Sequence, residues 1–498
     1  MTSRLNVLLA HLQPQPSSLT PGSRGEAPWP ITSTGPLVIV GGICLDIQAQ
    51  PSTVDVHRGT SVPGTVRQVP GGVGRNMAEA LSGLLPADRP APVFVSLVGD
   101  DTAGSFLAAS LRRLRLDLSL LMTCPGAPTP CVSAILDRGG EVAAAVADVT
   151  SVEQLLTPER LAECKARIQQ ACLVLAEANL SAEALHYVAR TAAEARVPVF
   201  LEPVSVPKAE RLVRSLPYAT FVSPNASELM AIADEVRRAA GLPLLPRPSL
   251  PEAGAPGGAG PGREEEPGAL VAELLRQLAA FAEVLLLQGT ACVVLTLGSL
   301  GAALITLQDA EEAGAEAAAA RTGSGLGMQA WRVGAPGQHA ASAGQLARQC
   351  ASALLRPSPP PGADQAAGGE EARLVAAGPA SQPLQLPGAA GGAGQRCVEV
   401  AHLRALPAEV VSVNGAGDTL VAGMIAALLE RHPPAAALAY GMAAAKRAVE
   451  SHRNVPELGD AALRADADAV LSSLQRYRHP QAAPQAAPQA ARSPPAAH

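Results

Sequence analysis

Aromatic side chains are nearly missing from this chain: two Trp, four Tyr and five Phe are spread over 498 residues. The 48% hydrophobic fraction leans on alanine, which buries little area per residue. With 46 Gly and 45 Pro beside that alanine, several stretches are expected to stay unfolded. No run of about 18 apolar residues occurs, which argues against a membrane-spanning helix. Eight cysteines form no CxxC pair and no His/Cys cluster, so neither a structural metal nor a disulfide framework is expected. The net charge of −6 is mild, and no basic stripe with interleaved aromatics appears; nucleic acid is not an expected partner. A GxxxxGK[ST] loop is also missing, so any nucleotide is handled without a Walker A device.

What is present is a rhythm of βα units. LVIVGGICLDI (Leu37 to Ile47) reads as a buried parallel strand, with Asp46 as the first polar side chain beyond its glycines. Asp46 has two readings, a turn cap or a group facing a ligand at the strand's C-terminal edge. PGGVGRNMAEALSGLL (Pro70 to Leu85) is a glycine turn, with Gly71, Gly72 and Gly74, leading into a helix opened by Asn76. VFVSLVGDDTAGSFLAASLRRL is strand, turn and helix. CVSAIL and EVAAAV around DRGG form a β-hairpin, read as a small lid beside a parallel sheet.

From Ala171 the alternation resumes, with strands at CLVLAEAN and VPVFLEPVS, the second carrying Glu202 near its end. In FVSPNASELMAI, Asn225 and Glu228 are one helical turn apart and can point the same way. ACVVLTLGSLGAALIT reads as strand, turn at Gly298-Ser299, strand. VSVNGAGDTLVAGMIAALLE (Val411 to Glu430) reads as a short strand, a glycine turn and a helix with a buried stripe. Its first turn offers unpaired N–H groups and the positive end of the helix dipole, a site suited to phosphate. Asp418 at that point is either a helix N-cap or a general base beside a bound phosphate donor. Helices are expected at 435–450 and 461–477, and the PQAA repeats of the tail are expected to be unfolded.

NGAGDTLVAGM resembles the C-terminal signature of the PfkB, or ribokinase-like, family of sugar and nucleoside kinases. GGICLDI, PGGVGRN, LVGDDTAG, PNASE and TLGSLGA fall in that family's order. The resemblance implies an α/β fold with a mostly parallel central sheet, helices on both faces and a small β lid. It implies one kinase domain over 36–475, interrupted by low-complexity insertions at about 239–267 and 308–395, between a 1–35 extension and a 476–498 disordered tail. PGGVGRN and LEPVSVPKA are most similar to the pseudouridine-kinase branch, which implies transfer of the ATP γ-phosphoryl group to the 5′-hydroxyl of pseudouridine. Ribose, adenosine or hexose acceptors are the alternatives, and a non-catalytic regulatory protein is the alternative of another class.

Carried over residue by residue, Asp418 is the implied base, and the N–H groups of Gly415, Ala416 and Gly417 the implied anion hole. Asp46, Gly72 and Asn76 are implied to hold ribose hydroxyls. Asn225 and Glu228 match the family's Asn-x-x-Glu motif, with Glu228 reaching Mg2+ indirectly, through its waters. Thr296 and Gly298 match the nucleotide-contacting turn. ATP and Mg2+ are therefore the implied cofactors. A monovalent cation is not assigned, because Ser412-Val413-Asn414 replaces the Asp-Thr pair common ahead of the GAGD turn. Family members are often homodimers through the lid. Finally, Arg4 to Leu12, RLNVLLAHL, matches the N-terminal peroxisomal targeting nonapeptide, which predicts a peroxisomal import receptor as partner; the cytoplasm or another organelle is the alternative.

Overall fold

The computed structural model describes residues 31, 34–52, 61–137, 142–250, 267–309, 329–330, 396–458 and 461–480. The nonapeptide, most of both insertions and the PQAA tail lie outside these residues.

Two sheets organise the chain. The large one has eleven strands in the order β13-β15-β14-β12-β11-β10-β9-β8-β1-β4-β5. These are β1 (Leu37–Val40), β4 (Val93–Gly99), β5 (Leu121–Cys124), β8 (Leu173–Glu177), β9 (Val199–Glu202), β10 (Phe221–Val222), β11 (Cys292–Thr296), β12 (Ala302–Asp309), β13 (Gln329–Ala330), β14 (Arg396–Leu403) and β15 (Gln475–Pro480). From β5 to β11 all neighbours are parallel, and β12, β14 and β15 extend the sheet antiparallel. The small sheet has the order β3-β2-β6-β7, with β2 (Cys44–Pro51), β3 (Gly64–Gly71), β6 (Cys131–Leu136) and β7 (Val142–Asp148).

The parallel strands read as unbroken apolar runs because both of their faces are covered. Along β1, Val38 and Val40 feed one core, while Leu37 and Ile39 feed the other. On the first face lie α3 (Ala182–Glu194), α4 (Ala226–Ala239) and α5 (Pro267–Leu287). On the second lie α1 (Val73–Leu84), α2 (Thr102–Leu111), α6 (Ala416–Leu429) and α7 (Pro434–Val449), with α8 (Ala461–Ser472) outside α7. Four of the Phe sit deep, Phe94, Phe200, Phe221 and Phe281, and Phe200 and Phe221 stack at 5.4 Å between adjacent strands. Each such ring stabilises the fold by roughly 1.5–3 kcal/mol.

Elsewhere alanine and glycine substitute for bulk by close approach. A side-chain carbon on Gly423 of α6 would stand 2.9 Å from Gly441 Cα and 3.0 Å from Ala444 Cβ of α7. The two helices therefore pack nearly backbone to backbone, and dispersion contacts replace the missing large side chains.

The run Leu37 to Ile47 is two strands, not one: the chain leaves the large sheet at Gly41-Gly42 and enters the small one at Cys44. Asp46 therefore sits on a lid strand rather than at the edge of the central sheet. The predicted hairpin is present as β6 and β7, and β2 and β3 complete a four-stranded lid. Val411 to Val413 is not a strand. It is a loop whose Val411 and Ser412 amides donate to Val449 O, with Val413 exposed. The helix expected over 461–477 ends at Ser472, and β15 follows, so the folded region reaches Pro480 rather than residue 475. Tyr477 is buried while Arg476 and Arg478 both meet Glu399, the period of two expected of a strand.

Candidate active site

The C-terminal ends of β1, β8 and β9, the lid face carrying Asp46, and the N-termini of α1 and α6 converge on one cleft. Open α/β sheets place ligands at this edge.

Gly72 starts α1 with φ +99, a conformation that favours glycine. A Cβ there would lie 2.7 Å from Gly42 O and from Ile43 Cα, so the turn rests directly on the β1–β2 junction. Helix α1 begins at Val73, which puts Asn76 within its first turn rather than at its start. Arg75 donates to Asn76 Oδ1 at 2.9 Å and to Pro70 O at 2.9 Å, and pairs with Glu79. That fixes the amide with its NH2 group toward α6, where Asn76 Nδ2 donates to Asp418 Oδ2 at 2.8 Å.

Asp418 is not the cap of its helix. The N-cap is Gly415, left-handed at φ +74, and no side chain caps that end. A Cβ on Gly415 would collide with the backbone carbonyl of Asn454. Asp418 lies in the first turn and aims its carboxylate across the cleft instead. Its side chain keeps a solvent-facing edge, yet protein encloses it enough that burial raises its pKa to about 6. The Asn76 hydrogen bond and the Arg75 charge oppose the rise, and the nearby Glu177 charge adds to it. Ala416 N–H closes a long turn onto Val413 O at 3.4 Å, while Gly417 is exposed, with nothing within 4 Å of where a Cβ would stand.

Asp46 joins the cleft from the lid. Cys44 Sγ donates to it at 3.2 Å, and the Asn454 side chain hydrogen-bonds it. Burial raises its carboxyl, and those two bonds with Arg75 pull it back down. Asn454 therefore touches both Asp46 and the backbone of Gly415, a link that no motif in the sequence announces.

Asn225 and Glu228 form a capping box at the start of α4. Glu228 N–H donates to Asn225 Oδ1 at 3.0 Å, and Asn225 N–H to Glu228 Oε2 at 2.9 Å. One Glu228 oxygen is thus taken by its own helix, and burial raises its pKa. Thr296 bridges to Asn225, its N–H donating to Pro224 O at 3.0 Å. Gly298, at φ +57, opens the turn after β11, and buried His402 holds that turn through Leu300 O at 2.8 Å. Among the described residues no cluster of three or more His, Cys, Asp or Glu forms a direct metal cage. With its other oxygen Glu228 would hold a magnesium through water, and the ion would supply charge neutralisation on the phosphates of a bound nucleotide.

Two further carboxylates belong to the site. Glu202 accepts from Ser223 Oγ and from Val204 N–H at 3.3 Å. Burial pushes its pKa well up, Ser223 opposes this, and the charges of Glu228 and Asp418 add to it. Glu177 is fully buried, yet takes no part in any motif recognised from the sequence. Its Oε1 accepts from Gly42 N–H and its Oε2 from Asn179 N–H at 2.7 Å. Its one visible signal is a carboxylate ending the apolar run LVLAE. In register, Glu177 and Glu202 are neighbours on adjacent parallel strands.

With this geometry, the comparisons with known proteins decide the family. The chain matches the pfkB family carbohydrate kinase over residues 36–242 and 388–456, more than half its length. It belongs to that family. It is 32% identical over 419 residues to the pseudouridine kinase of Arabidopsis thaliana, covering 84% of this chain and 92% of that protein. It is also 32% identical over 192 residues to the pseudouridine kinase of Escherichia coli (strain K12), covering 39% of this chain and 59% of that one. Among solved structures, the fold matches Arabidopsis thaliana ribokinase complexed with ribose and ATP, with a TM-score of 0.53 at 18% identity over 88% of this chain and 98% of that one. A putative sugar kinase from Clostridium perfringens matches with a TM-score of 0.52 at 16% identity, covering 90% and 99%. The α/β ribokinase-like fold and the reaction class, phosphoryl transfer to an alcohol of a sugar or nucleoside, follow from that membership.

Proposed function

We propose that this kinase transfers the γ-phosphoryl group of ATP to the 5′-hydroxyl of pseudouridine, giving pseudouridine 5′-phosphate. The 2.8 Å bond between Asn76 and Asp418 carries the reading, because it ties the ribose-holding helix to the group that receives the proton. Similarity over nearly the full length of the plant pseudouridine kinase supports the choice of acceptor.

In this mechanism Asp46, Gly72 and Asn76 hold the ribose hydroxyls and present the 5′-hydroxyl to Asp418. Asp418 accepts its proton as the oxygen attacks the γ-phosphorus. With a pKa raised to about 6, Asp418 is mostly ionised at neutral pH, yet is a stronger base than a free aspartate. The N–H groups of Gly415, Ala416 and Gly417 stabilise charge on the moving phosphoryl group at the start of the 14-residue helix α6. Thr296 and Gly298 line the nucleotide, and Asn225 with Glu228 face the phosphates, Glu228 through the waters of Mg2+. The lid sheet excludes water from the closed cleft.

Two wider readings accompany this one. The lid shows Val66, Ile135 and Val146 exposed on one face, which supports a homodimer through the lid, checked by light scattering of the purified chain. The nonapeptide Arg4 to Leu12 supports peroxisomal import, and a diffuse signal from residues 1–35 fused to a fluorescent reporter would sink that reading. For the acceptor, the deciding experiment is an ATP-dependent assay with pseudouridine, uridine, adenosine and ribose side by side. Pseudouridine is expected to have the highest kcat/KM, and turnover of ribose or adenosine without pseudouridine would reject the assignment.

A further inference from the structure

The catalytic account leaves one charged chain unused. Lys208 sits on the one-turn helix Val206–Ala209 that follows β9, within the segment LEPVSVPKA. Its ammonium donates to the side-chain oxygen of Asn179, just beyond β8. The Asn179 backbone N–H donates to Glu177 Oε2 at 2.7 Å, and Glu177 Oε1 accepts from Gly42 at the root of the lid. The chain Lys208–Asn179–Glu177–Gly42 thus joins two strand ends of the central sheet to the root of the lid.

A structural role for Lys208 would be to neutralise Glu177. The contacts argue otherwise. Lys208 spends a bond on a neutral amide oxygen, while the Glu177 oxygens are taken by two backbone N–H groups. An ammonium has three N–H bonds. Among the described residues the other two meet no acceptor, although the side chain is half-buried. A rotamer-rich side chain held in this way costs conformational entropy, which a surface lysine avoids. Burial pulls its pKa down, and Glu177 is the main charge that holds the ammonium form. The Cys44 thiol also lies within its electrostatic reach, and Cys44 is bonded to Asp46 at 3.2 Å. Glu177 feels the Lys208 charge, and its own charge in turn acts on Asp418.

We infer that Lys208 is a specificity-determining residue that reads the base of the acceptor nucleoside, donating an N–H to a carbonyl oxygen of a pyrimidine ring while Asn179 holds its ammonium in place. The inference rests on the nucleoside reading proposed above. With the 5′-hydroxyl at Asp418 and the ribose between Asn76 and Asp46, we place the base on the side where Asn179 approaches the Gly42 turn and Lys208 comes within electrostatic reach of Cys44, the residue bonded to Asp46. A uracil ring presents two carbonyl acceptors there; a free pentose presents none. An acceptor without a base would leave the cation facing water.

The test uses the full-length Lys208→Met and Lys208→Arg variants beside the wild type. Readouts are KM and kcat for pseudouridine and for D-ribose, Kd for ATP, and Tm. The expected result for Lys208→Met is a pseudouridine kcat/KM lowered about 10- to 100-fold, mainly through KM, the loss typical of a hydrogen bond from a charged group. D-ribose kinetics and ATP affinity stay at wild-type values, and Lys208→Arg, which keeps donors, recovers part of the loss. Equal losses for pseudouridine and D-ribose would make Lys208 a structural residue and overturn the inference. Unchanged pseudouridine kinetics would overturn it too. If the nucleoside reading itself is wrong, the wild type already shows it by turning over D-ribose but no pseudouridine, and Lys208 then has no base to read.

Discussion

Asn76 Nδ2 donates to Asp418 Oδ2 at 2.8 Å, a bond between residues 342 positions apart in the chain. It unites the glycine turn of α1 and the GAGD turn of α6 in one constellation. If Asp418 is the base, Asp418→Asn loses about 10²–10⁴ in kcat, the span general-base catalysis supplies, while ATP affinity changes little. Steady-state kinetics with nucleotide titration checks this, and near-normal turnover would remove Asp418 from the mechanism.

The pH dependence follows from the environment of the same carboxylate. Burial and the Glu177 charge raise its pKa to about 6, and only the ionised form accepts a proton. The acidic limb of kcat/KM is therefore expected to rise about tenfold per pH unit below roughly 6 and to level off above it. A limb near 4 instead would mean that the cleft in solution does not desolvate Asp418.

Stability runs the opposite way with pH. Because its folded pKa lies above the unfolded value of about 3.9, Asp418 destabilises the fold increasingly as pH climbs from about 4 to about 6, and by a constant amount beyond. Asp418→Asn carries no such cost. The variant should melt a few degrees above the wild type at pH 8, and the gap should close toward pH 4. Thermal denaturation at both pH values separates this from a general effect of the substitution, which would persist in acid.

Small residues at the α6–α7 contact give a fourth expectation. Gly423→Leu must displace Gly441 and Ala444, which stand within about 3 Å of the first added carbon. Overpacking of this kind costs about 1–3 kcal/mol and moves the helix that carries Asp418. Both Tm and kcat should fall. Gly83→Ala in α1, where nothing lies within 4 Å of the added carbon, is the matched control and should raise Tm slightly.

Gly72→Ala tests the turn that seats α1, the helix proposed to hold the ribose. At φ +99 an alanine is strained, and its Cβ would press on Gly42 O and Ile43 at 2.7 Å. The acceptor KM should rise at least several-fold while the KM for ATP holds. Equal changes in both would place the damage in the fold rather than in the acceptor pocket.

Much of this was legible in the residues. The Asp418 turn, the Gly72–Asn76 turn and the Asn225/Glu228 pair announce themselves because each needs glycine or a cap at a fixed offset from a helix. Other features depend on tertiary placement. Glu177 gives almost no local signal: it is one carboxylate at the end of a buried strand, and it matters because Gly42, 135 residues away in sequence, reaches it. Asn454 acts through one side-chain bond and one backbone contact, neither of which leaves a pattern. The β-rich Val411 to Val413 fails to form a strand because its amides find Val449 O instead of a neighbouring ladder. Period-two alternation at Arg476-Tyr477-Arg478 was the cue to the last strand, and a helical reading of the preceding residues overran it.

The placement of Asp46 has a mechanical consequence. Its strand leaves the central sheet at Gly41-Gly42, so the carboxylate belongs to the lid while Asp418 and Asn76 belong to the body. If Asp46 holds the sugar as proposed, recognition of the sugar and descent of the lid are one event, read from opposite ends. An acceptor held by Asp46 as proposed would add a latch to the Asn454 bond that already ties the lid strand to the body, and ATP alone would add none. Hydrogen exchange of β2 and β3 should accordingly slow more with acceptor than with nucleotide.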